Sequence, residues 1–188
     1  MRTVRLRSAY QTVDVVADPT IAELLVVEGN HQVQREQDAL VVSDRASGGF
    51  RFANWQDARR LALRMNPQLE LDVQVVGAAL SISGLSGTLR AVVQAGTATI
   101  EDVSSSMEVW VVSGLLRVGG SPQDAWHLRA ESASLELTLE EAADATVSIS
   151  GRHSRVELPG SDSRAVFGSG ARTVDIDATF SDVVVRTR

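Results

Sequence analysis

The chain of 188 residues contains no cysteine and no lysine, and aromatic residues make up only 4% of it. Without cysteine it can form no disulfide, thiolate nucleophile or cysteine-ligated zinc site. All 18 of its basic residues are arginine, so it lacks the lysine that a phosphate-binding P-loop or a Schiff-base enzyme requires. These absences exclude several classes of enzyme before any motif is considered.

Clustered positive charge and long apolar runs are also missing. The formal net charge of -6 disfavours nucleic acid and anionic membranes as partners, because both bind through patches of positive charge. The N-terminal residues from Met1 to Arg7 alternate charged and apolar side chains, unlike a signal peptide, and no later stretch could span a bilayer. We therefore expect no nucleic acid partner, no membrane insertion and a cytoplasmic location, or an envelope location if a leader has been removed.

The sequence does contain a repeat of 18 or 19 residues, which can be aligned in six rows from Leu69 onward. Three columns of the alignment hold 16 apolar residues in 18 places, where the overall hydrophobic fraction of 44% predicts about eight. The columns are Val73, Ala91, Val109, Leu128, Val147 and Val166; Val75, Val93, Val111, Ala130, Ile149 and Gly168; and Ile82, Ile100, Val118, Leu137, Val156 and Asp175. Such columns predict strands stacked in register.

Small and charged residues support the same alignment. A column of small residues between the two strands of each row predicts a tight corner, which favours glycine or another small residue. Charges alternate in two outward columns, and opposite charges on neighbouring strands stabilise a sheet by roughly 0.2 to 1 kcal/mol per pair. The small column is Gly77, Ala95, Ser113, Ser132, Gly151 and Gly170, and the charged columns are Asp72, Arg90, Glu108 and His127, and Arg117, Glu136 and Arg155.

A unit this short has no room for a helix, so the repeat predicts an all-β fold of the β-solenoid, or β-helix, type. About six coils of 18–19 residues occupy residues 69–188, and residues 1–68, which lack the period, form a β-rich cap in one continuous fold. Residues 55–65 suit either a helix or a strand that ends before Asn66 and Pro67, and we favour the strand. The predicted cap strands are Val4 to Ser8, Thr12 to Ala17, Ala22 to Glu28 and Ala39 to Ser43.

The order of these segments carries a family resemblance. A first β-rich part is followed by residues 61–67, by residues 69–73, and then by repeated glycine, strand, glycine units such as residues 84–89. This order resembles the bacterial family of putative adhesins with β-strand repeats. The resemblance implies a single-stranded, right-handed β-solenoid in a bacterial and often envelope-associated protein.

Few side chains are candidates for chemistry. His31, His127 and His153 do not have the spacing of a zinc site, and we expect them to be solvated. Asp175 and Asp177 lie on one strand face, as the acidic groups of carbohydrate-active β-helix enzymes do, although solvated carboxylates are the favoured interpretation. The Glu140-Glu141 pair and the segment Gly168-Ser169-Gly170 are interpreted as a turn and a corner. We predict no catalytic, cofactor-binding or metal-ligating residue.

One outward surface contains apolar residues, although the positions between core-facing residues should be polar. Val76, Val92, Trp110 and Val112 occupy outward columns on neighbouring strands and form a candidate interface, either with a second copy or with a covering segment of residues 1–68. The predicted function is a non-catalytic scaffold or binding module for a protein partner or for itself. The alternatives are a self-assembling structural protein like the bactofilins and a carbohydrate-active β-helix enzyme; no residue pattern supports a carbohydrate ligand.

Overall fold

The structure, a computed structural model, describes residues 2–29, 31–44, 60–160 and 163–188. Those residues contain nineteen strands and no helix, so the prediction of an all-β chain is confirmed. The strands of sheet A are β1 (Thr3–Ala9), β4 (His31–Glu36), β5 (Ala39–Asp44), β7 (Glu70–Val76), β9 (Leu89–Gln94), β11 (Met107–Val112), β13 (Trp126–Glu131), β15 (Ala145–Arg152), β17 (Arg164–Phe167) and β18 (Arg172–Thr179). Those of sheet B are β2 (Thr12–Ala17), β3 (Leu24–Glu28), β6 (Arg60–Met65), β8 (Ala79–Ser83), β10 (Thr97–Glu101), β12 (Leu115–Gly120), β14 (Ser134–Leu139), β16 (Arg155–Glu157) and β19 (Asp182–Thr187).

Neighbouring strands in both sheets are mostly parallel. Sheet A has the order β17-β15-β18-β13-β11-β9-β7-β1-β5-β4, and sheet B has the order β16-β19-β14-β12-β10-β8-β2-β6-β3. The antiparallel pairs lie at the edges, where β4 pairs with β5, β3 with β6, and β17 with β15. The described residues contain no helix that is long and apolar enough to cross a lipid bilayer.

The two sheets enclose one hydrophobic core. Successive strand residues point to opposite sides of a sheet, so alternate residues of each strand face the core and the residues between them face outward. Inward side chains such as Val73, Val109 and Val147 are at most 1% exposed and belong to one buried cluster with those of sheet B. The predicted inward orientation of these valines is therefore confirmed.

The pairing from β7 to β14 agrees with the sequence alignment. In sheet A, Val73 pairs with Ala91, Ala91 with Val109, and Val109 with Leu128. In sheet B, Ile82, Ile100, Val118 and Leu137 occupy neighbouring positions in the same way. The charges that the alignment placed side by side are therefore cross-strand neighbours here.

The alignment of the last two rows is wrong, because the strands do not stack in chain order there. In sheet A, β18 lies between β13 and β15, so that Leu128 pairs with Ile176 instead of Val147. In sheet B, β19 lies between β14 and β16, so that Leu137 pairs with Val185 and not with Val156. The apolar pattern of one strand fits several neighbours, and only tertiary packing selects among them.

Three residues of the last two rows consequently do not lie where the alignment placed them. Val166 lies on the antiparallel edge strand β17 and is 57% exposed, although the alignment placed it with buried Val109. Asp175 faces outward in sheet A instead of completing a sheet B column. Arg155 pairs in register with Asp182 and not with Glu136.

The first and last strands of the chain lie inside the sheets and not at their edges. At the N-terminal end, β1 lies between β5 and β7, and β2 lies between β6 and β8. At the C-terminal end, β18 and β19 are flanked in the same manner. Residues 60–65 form a strand, as favoured, whereas Trp55 and Ala58 lie outside the described residues. A capping role for residues 1–68 stays a prediction.

The predicted corners are confirmed for four of the six small residues. Gly77, Ala95, Ser113 and Ser132 all have left-handed backbones, with φ between 50° and 67°, and each N–H donates to a carbonyl of the next strand in its sheet. Gly151 instead lies inside β15, and Gly170 lies in the turn between β17 and β18. Their places in the corner column are taken by Phe180 and His153, because the final strands are out of chain order.

The residue after each corner must also be small, which gives a prediction for Gly114. A Cβ atom added to Gly114 would overlap the backbone carbonyl of Gly96, whereas one added to Gly119 would meet only the Glu101 side chain, at 3.9 Å. Because backbone cannot move aside as a flexible side chain can, we expect Gly114→Ala to lower the melting temperature by about 10 °C or more, and Gly119→Ala by a few degrees. Thermal unfolding followed by circular dichroism tests this, and equal melting temperatures for the two variants would contradict the corner geometry.

Candidate functional site

The outward side of sheet A, called the sheet A face below, carries a column in which basic and acidic side chains alternate. The column crosses six consecutive strands: Arg5 on β1, Asp72 on β7, Arg90 on β9, Glu108 on β11, His127 on β13 and Asp175 on β18. Arg90 Nε lies 3.7 Å from Glu108 Oε2, and His127 Nδ1 lies 3.5 Å from Asp175 Oδ2. The sequence predicted the four middle members, and the structure adds Arg5 and Asp175 at the two ends.

A second outward column runs beside the first, two residues further along each strand. Its members are Arg7, Gln74, Val92, Trp110, Arg129 and Asp177. The Arg129 guanidinium lies over the Trp110 ring, 4.8 Å from its centroid, in a cation–π contact. The Trp110 Nε1 atom is buried and has no hydrogen-bond acceptor within the described residues. Trp110 is therefore partly covered by its own chain and partly exposed.

The predicted interface residues all lie on the sheet A face. Val76, Val92, Trp110 and Val112 are each half-buried. Val92 and Trp110 are direct neighbours in the second column, whereas Gln94 separates Val76 from Val112 in the third. The described strands of residues 1–68 lie within the two sheets and do not cover this face. The apolar patch is thus centred on the neighbouring pair of Val92 and Trp110, and its role as an interface stays a prediction.

A concavity of about 420 Å³, the sheet A groove, adjoins Trp110 toward the C-terminal strands. It forms where long side chains give way to serines on β15. The outward residues that line it are Glu108, Trp110, His127, Arg129, Ser148, Ser150, Asp175 and Asp177. Trp110 therefore lies at one end of the groove and the serines of β15 at the other, and the two aspartates lie beside the serines, where they supply negative charge for long cationic side chains.

The acidic pair of the sequence analysis lies in this groove, but the order of residues does not form a nucleophilic triad. Along the first column Asp175 lies between His127 and Ser148. A histidine base must contact the hydroxyl that it deprotonates, and here the carboxylate separates the two. Asp175 and Asp177 both lie on β18 and line the groove, and carboxylates are the residue type that glycoside hydrolysis uses.

The remaining candidate residues have structural partners. His31 Nδ1 lies 2.9 Å from the Gly29 carbonyl oxygen, and the His153 ring stacks on Phe180 with centroids 5.1 Å apart. Glu140 accepts a hydrogen bond of 2.8 Å from the Ser121 hydroxyl beside the predicted turn. Among the described residues, no three histidine or carboxylate side chains come close enough to hold a metal ion.

The predicted corner at residues 168–170 is a turn held by Asp144. The Asp144 carboxylate accepts hydrogen bonds from the Ala171 N–H, at 3.0 Å, and from the Ser169 hydroxyl, at 2.8 Å. The Ala171 N–H and the Ser169 hydroxyl hold the pKa of the Asp144 carboxyl below its ordinary value, because both bonds favour the charged form. Ser169 therefore serves the turn, and the pattern of glycines around it is structural.

Comparison with known proteins shows similarity of fold only. The chain matches no protein family model, and no curated protein is similar to it in sequence. It is similar in structure to a putative cell adhesion protein from Clostridium sporogenes, with a TM-score of 0.53 and 6% sequence identity over 100% of this chain and 92% of that chain. At this identity the likeness shows a similar fold over nearly the whole length of both chains and nothing more.

Proposed function

We propose that the chain is a non-catalytic binding module of β-solenoid type, which presents the sheet A face to a protein partner. The observation that carries the proposal is the sheet A groove beside a partly exposed Trp110 with Arg129 over its ring. Tryptophan and arginine are enriched among the residues that dominate binding energy at protein interfaces. A binding role also fits the name of the structurally similar putative cell adhesion protein.

The pairing pattern supports the solenoid architecture. From β7 to β14 the chain alternates between sheet A and sheet B, and each strand pairs in parallel with the strand 18 or 19 residues later. Left-handed corner residues follow each of the sheet A strands in this region. Parallel stacking of short, similar units about one core is the defining feature of a solenoid.

Filament formation of the bactofilin type is the weaker alternative. End-to-end polymerisation needs open parallel edges, but in the described residues the sheets end in the antiparallel strands β3, β4 and β17 and in the three-residue strand β16. Five of the six residues of β4 are exposed, and they include Arg35 and Glu36. Charged side chains and short edge strands are devices that natural sheets use against strand addition.

A carbohydrate-active enzyme is the alternative that the carboxylates of the groove favour. If it were correct, a panel of chromogenic glycosides would show turnover that Asp177→Asn abolishes. We expect no turnover from the wild type, since one of the two carboxylates, Asp175, is engaged with His127, whose Nδ1 lies 3.5 Å from Asp175 Oδ2.

Selection from a phage-displayed random peptide library tests the proposed function. At nanomolar protein concentration we expect enriched peptides that bind the wild type and lose at least about 10-fold in affinity for Arg129→Glu, because the substitution removes the guanidinium that lies over the Trp110 ring. The matched control is Arg117→Glu, which reverses an exposed charge on the outward side of sheet B and should leave binding unchanged. Peptides that bind Arg129→Glu as well as the wild type, or no enrichment at all, would refute the proposal.

A further inference from the structure

We infer that the sheet A face pairs with the same face of a second copy, about a two-fold axis that runs parallel to the strands between β9 and β11. The inference rests on the proposed function in taking the sheet A face as the binding surface. Five strands of sheet A lie on each side of this axis. The three nearest strands on each side, which carry the two columns, lie opposite those of the partner. Strands of the two copies then run in nearly the same direction, which is an ordinary geometry for packed sheets.

The first outward column is self-complementary about this axis. Rotation brings Arg90 opposite the partner's Glu108, Asp72 opposite the partner's His127, and Arg5 opposite the partner's Asp175. The two-fold axis repeats each pair with the two copies exchanged, and no pair places like charges opposite each other. The column has this property because basic and acidic side chains alternate along it and it has three members on each side of the axis.

The second column is complementary about the same axis. Val92 lies opposite the partner's Trp110, Gln74 opposite the partner's Arg129, and Arg7 opposite the partner's Asp177. The apolar pair therefore lies at the centre and the charged pairs lie at the rim, as in well-packed interfaces. The long side chains of the partner's Arg5 and Arg7 enter the sheet A groove, where Asp175 and Asp177 supply the negative charge.

Other positions of the axis are less favourable. An axis on β11 would oppose Glu108 with the partner's Glu108, and an axis on β9 would oppose Arg90 with the partner's Arg90; like charges held opposite each other cost several kcal/mol. An axis between β7 and β9 keeps opposite charges together but moves Trp110 opposite the partner's Arg7. Only the position between β9 and β11 satisfies the charges and the apolar pair together.

The size of the face suits a reversible dimer. Six strands spaced by about 4.8 Å, each about 20 Å long, give a flat area of on the order of 600 Å² per copy. The total of over about 1,000 Å² reaches the lower end of specific interfaces, the size class of weak and transient associations. Such a dimer dissociates at the nanomolar concentrations at which a peptide would bind the free face.

Two charge reversals and their mixture test the pairing by sedimentation equilibrium. At tens of micromolar we expect the wild type to have twice the mass of one chain. Arg90→Glu and Glu108→Arg alone should each weaken dimerisation at least about 100-fold, because each places like charges opposite one another twice. An equimolar mixture of the two variants should regain the double mass, since the new carboxylate of one faces the new guanidinium of the other. Rescue by mixing cannot arise within a single chain.

Controls separate this outcome from altered folding and from binding elsewhere. Glu136→Arg reverses one member of the comparable ion pair on sheet B, where Arg117 Nε lies 2.8 Å from Glu136 Oε2, and should leave the double mass unchanged. Trp110→Arg should give a folded monomer. If either reversal fails to fold, Arg7→Glu and Asp177→Arg form a second pair for the same mixing test.

Three results would overturn the inference. They are a monomeric wild type, a dimer that the sheet A reversals leave intact, and two monomeric variants that do not associate when mixed. A monomeric wild type that still binds selected peptides through Arg129 would leave the proposed function standing. Conversely, a rescued heterodimer without peptide binding would restrict the function to self-association.

Discussion

Val109→Asp is expected to abolish the folded state. Val109 is 1% exposed and lies between Ala91 and Leu128 in the middle of sheet A. A carboxylate in this core has no partner, and its burial costs several kcal/mol out of a total stability of about 5 to 15 kcal/mol. Circular dichroism should show loss of the β signal at 25 °C, and urea titration should show no cooperative transition.

Val166→Asp is the matched control for this experiment. The sequence alignment places Val166 in the same apolar column as Val109, whereas the structure leaves it 57% exposed on edge strand β17. We therefore expect Val166→Asp to change the free energy of unfolding by no more than about 0.5 kcal/mol. If both variants unfold, the aligned column is correct and the edge position of β17 is wrong.

Removal of residues 182–188 is expected to have the second largest effect. These residues contain β19, which lies between β14 and β16 and buries Val183 and Val185 to 1% and 3% exposure. Their loss forfeits roughly 3 to 6 kcal/mol of apolar burial, removes the strand on which β16 depends, and opens the edge of β14. We expect an aggregated or unfolded product by size-exclusion chromatography.

A shorter truncation tests whether the loss of β19 itself causes the unfolding expected for the longer one. Removing residues 187 and 188 alone deletes exposed side chains and the two backbone hydrogen bonds that Arg188 makes with Leu139 and Glu141. This should cost roughly 1 to 3 kcal/mol and leave a monodisperse, cooperative protein. If a chain that lacks residues 182–188 melts within a few degrees of the wild type, β19 does not lie between β14 and β16. It would then lie at a free edge of sheet B, where stacking in chain order would put the last strand.

Local patterns predicted much of the candidate site. Asp72, Arg90, Glu108 and His127 were placed in one column because outward positions between apolar residues must share a sheet face, and pairing sets them beside one another. The same reasoning placed Val92 beside Trp110 and put Asp175 and Asp177 on one strand face. It could not place Arg5 or Asp175 at the ends of the column, since the pairings of β1 with β7 and of β13 with β18 join segments distant in sequence.

The sequence by itself determined that the chain is all-β, which residues between β7 and β14 face the core, and where four of its corners turn. Alternation of apolar and polar residues and small residues at left-handed positions are local properties, and each is visible within a few residues. Only the tertiary structure decided that β1 and β2 enter the sheets beside β7 and β8, and that β18 and β19 separate β15 and β16 from β13 and β14. These strands have similar apolar patterns, so the choice among neighbours depends on which arrangement buries all of them in one core.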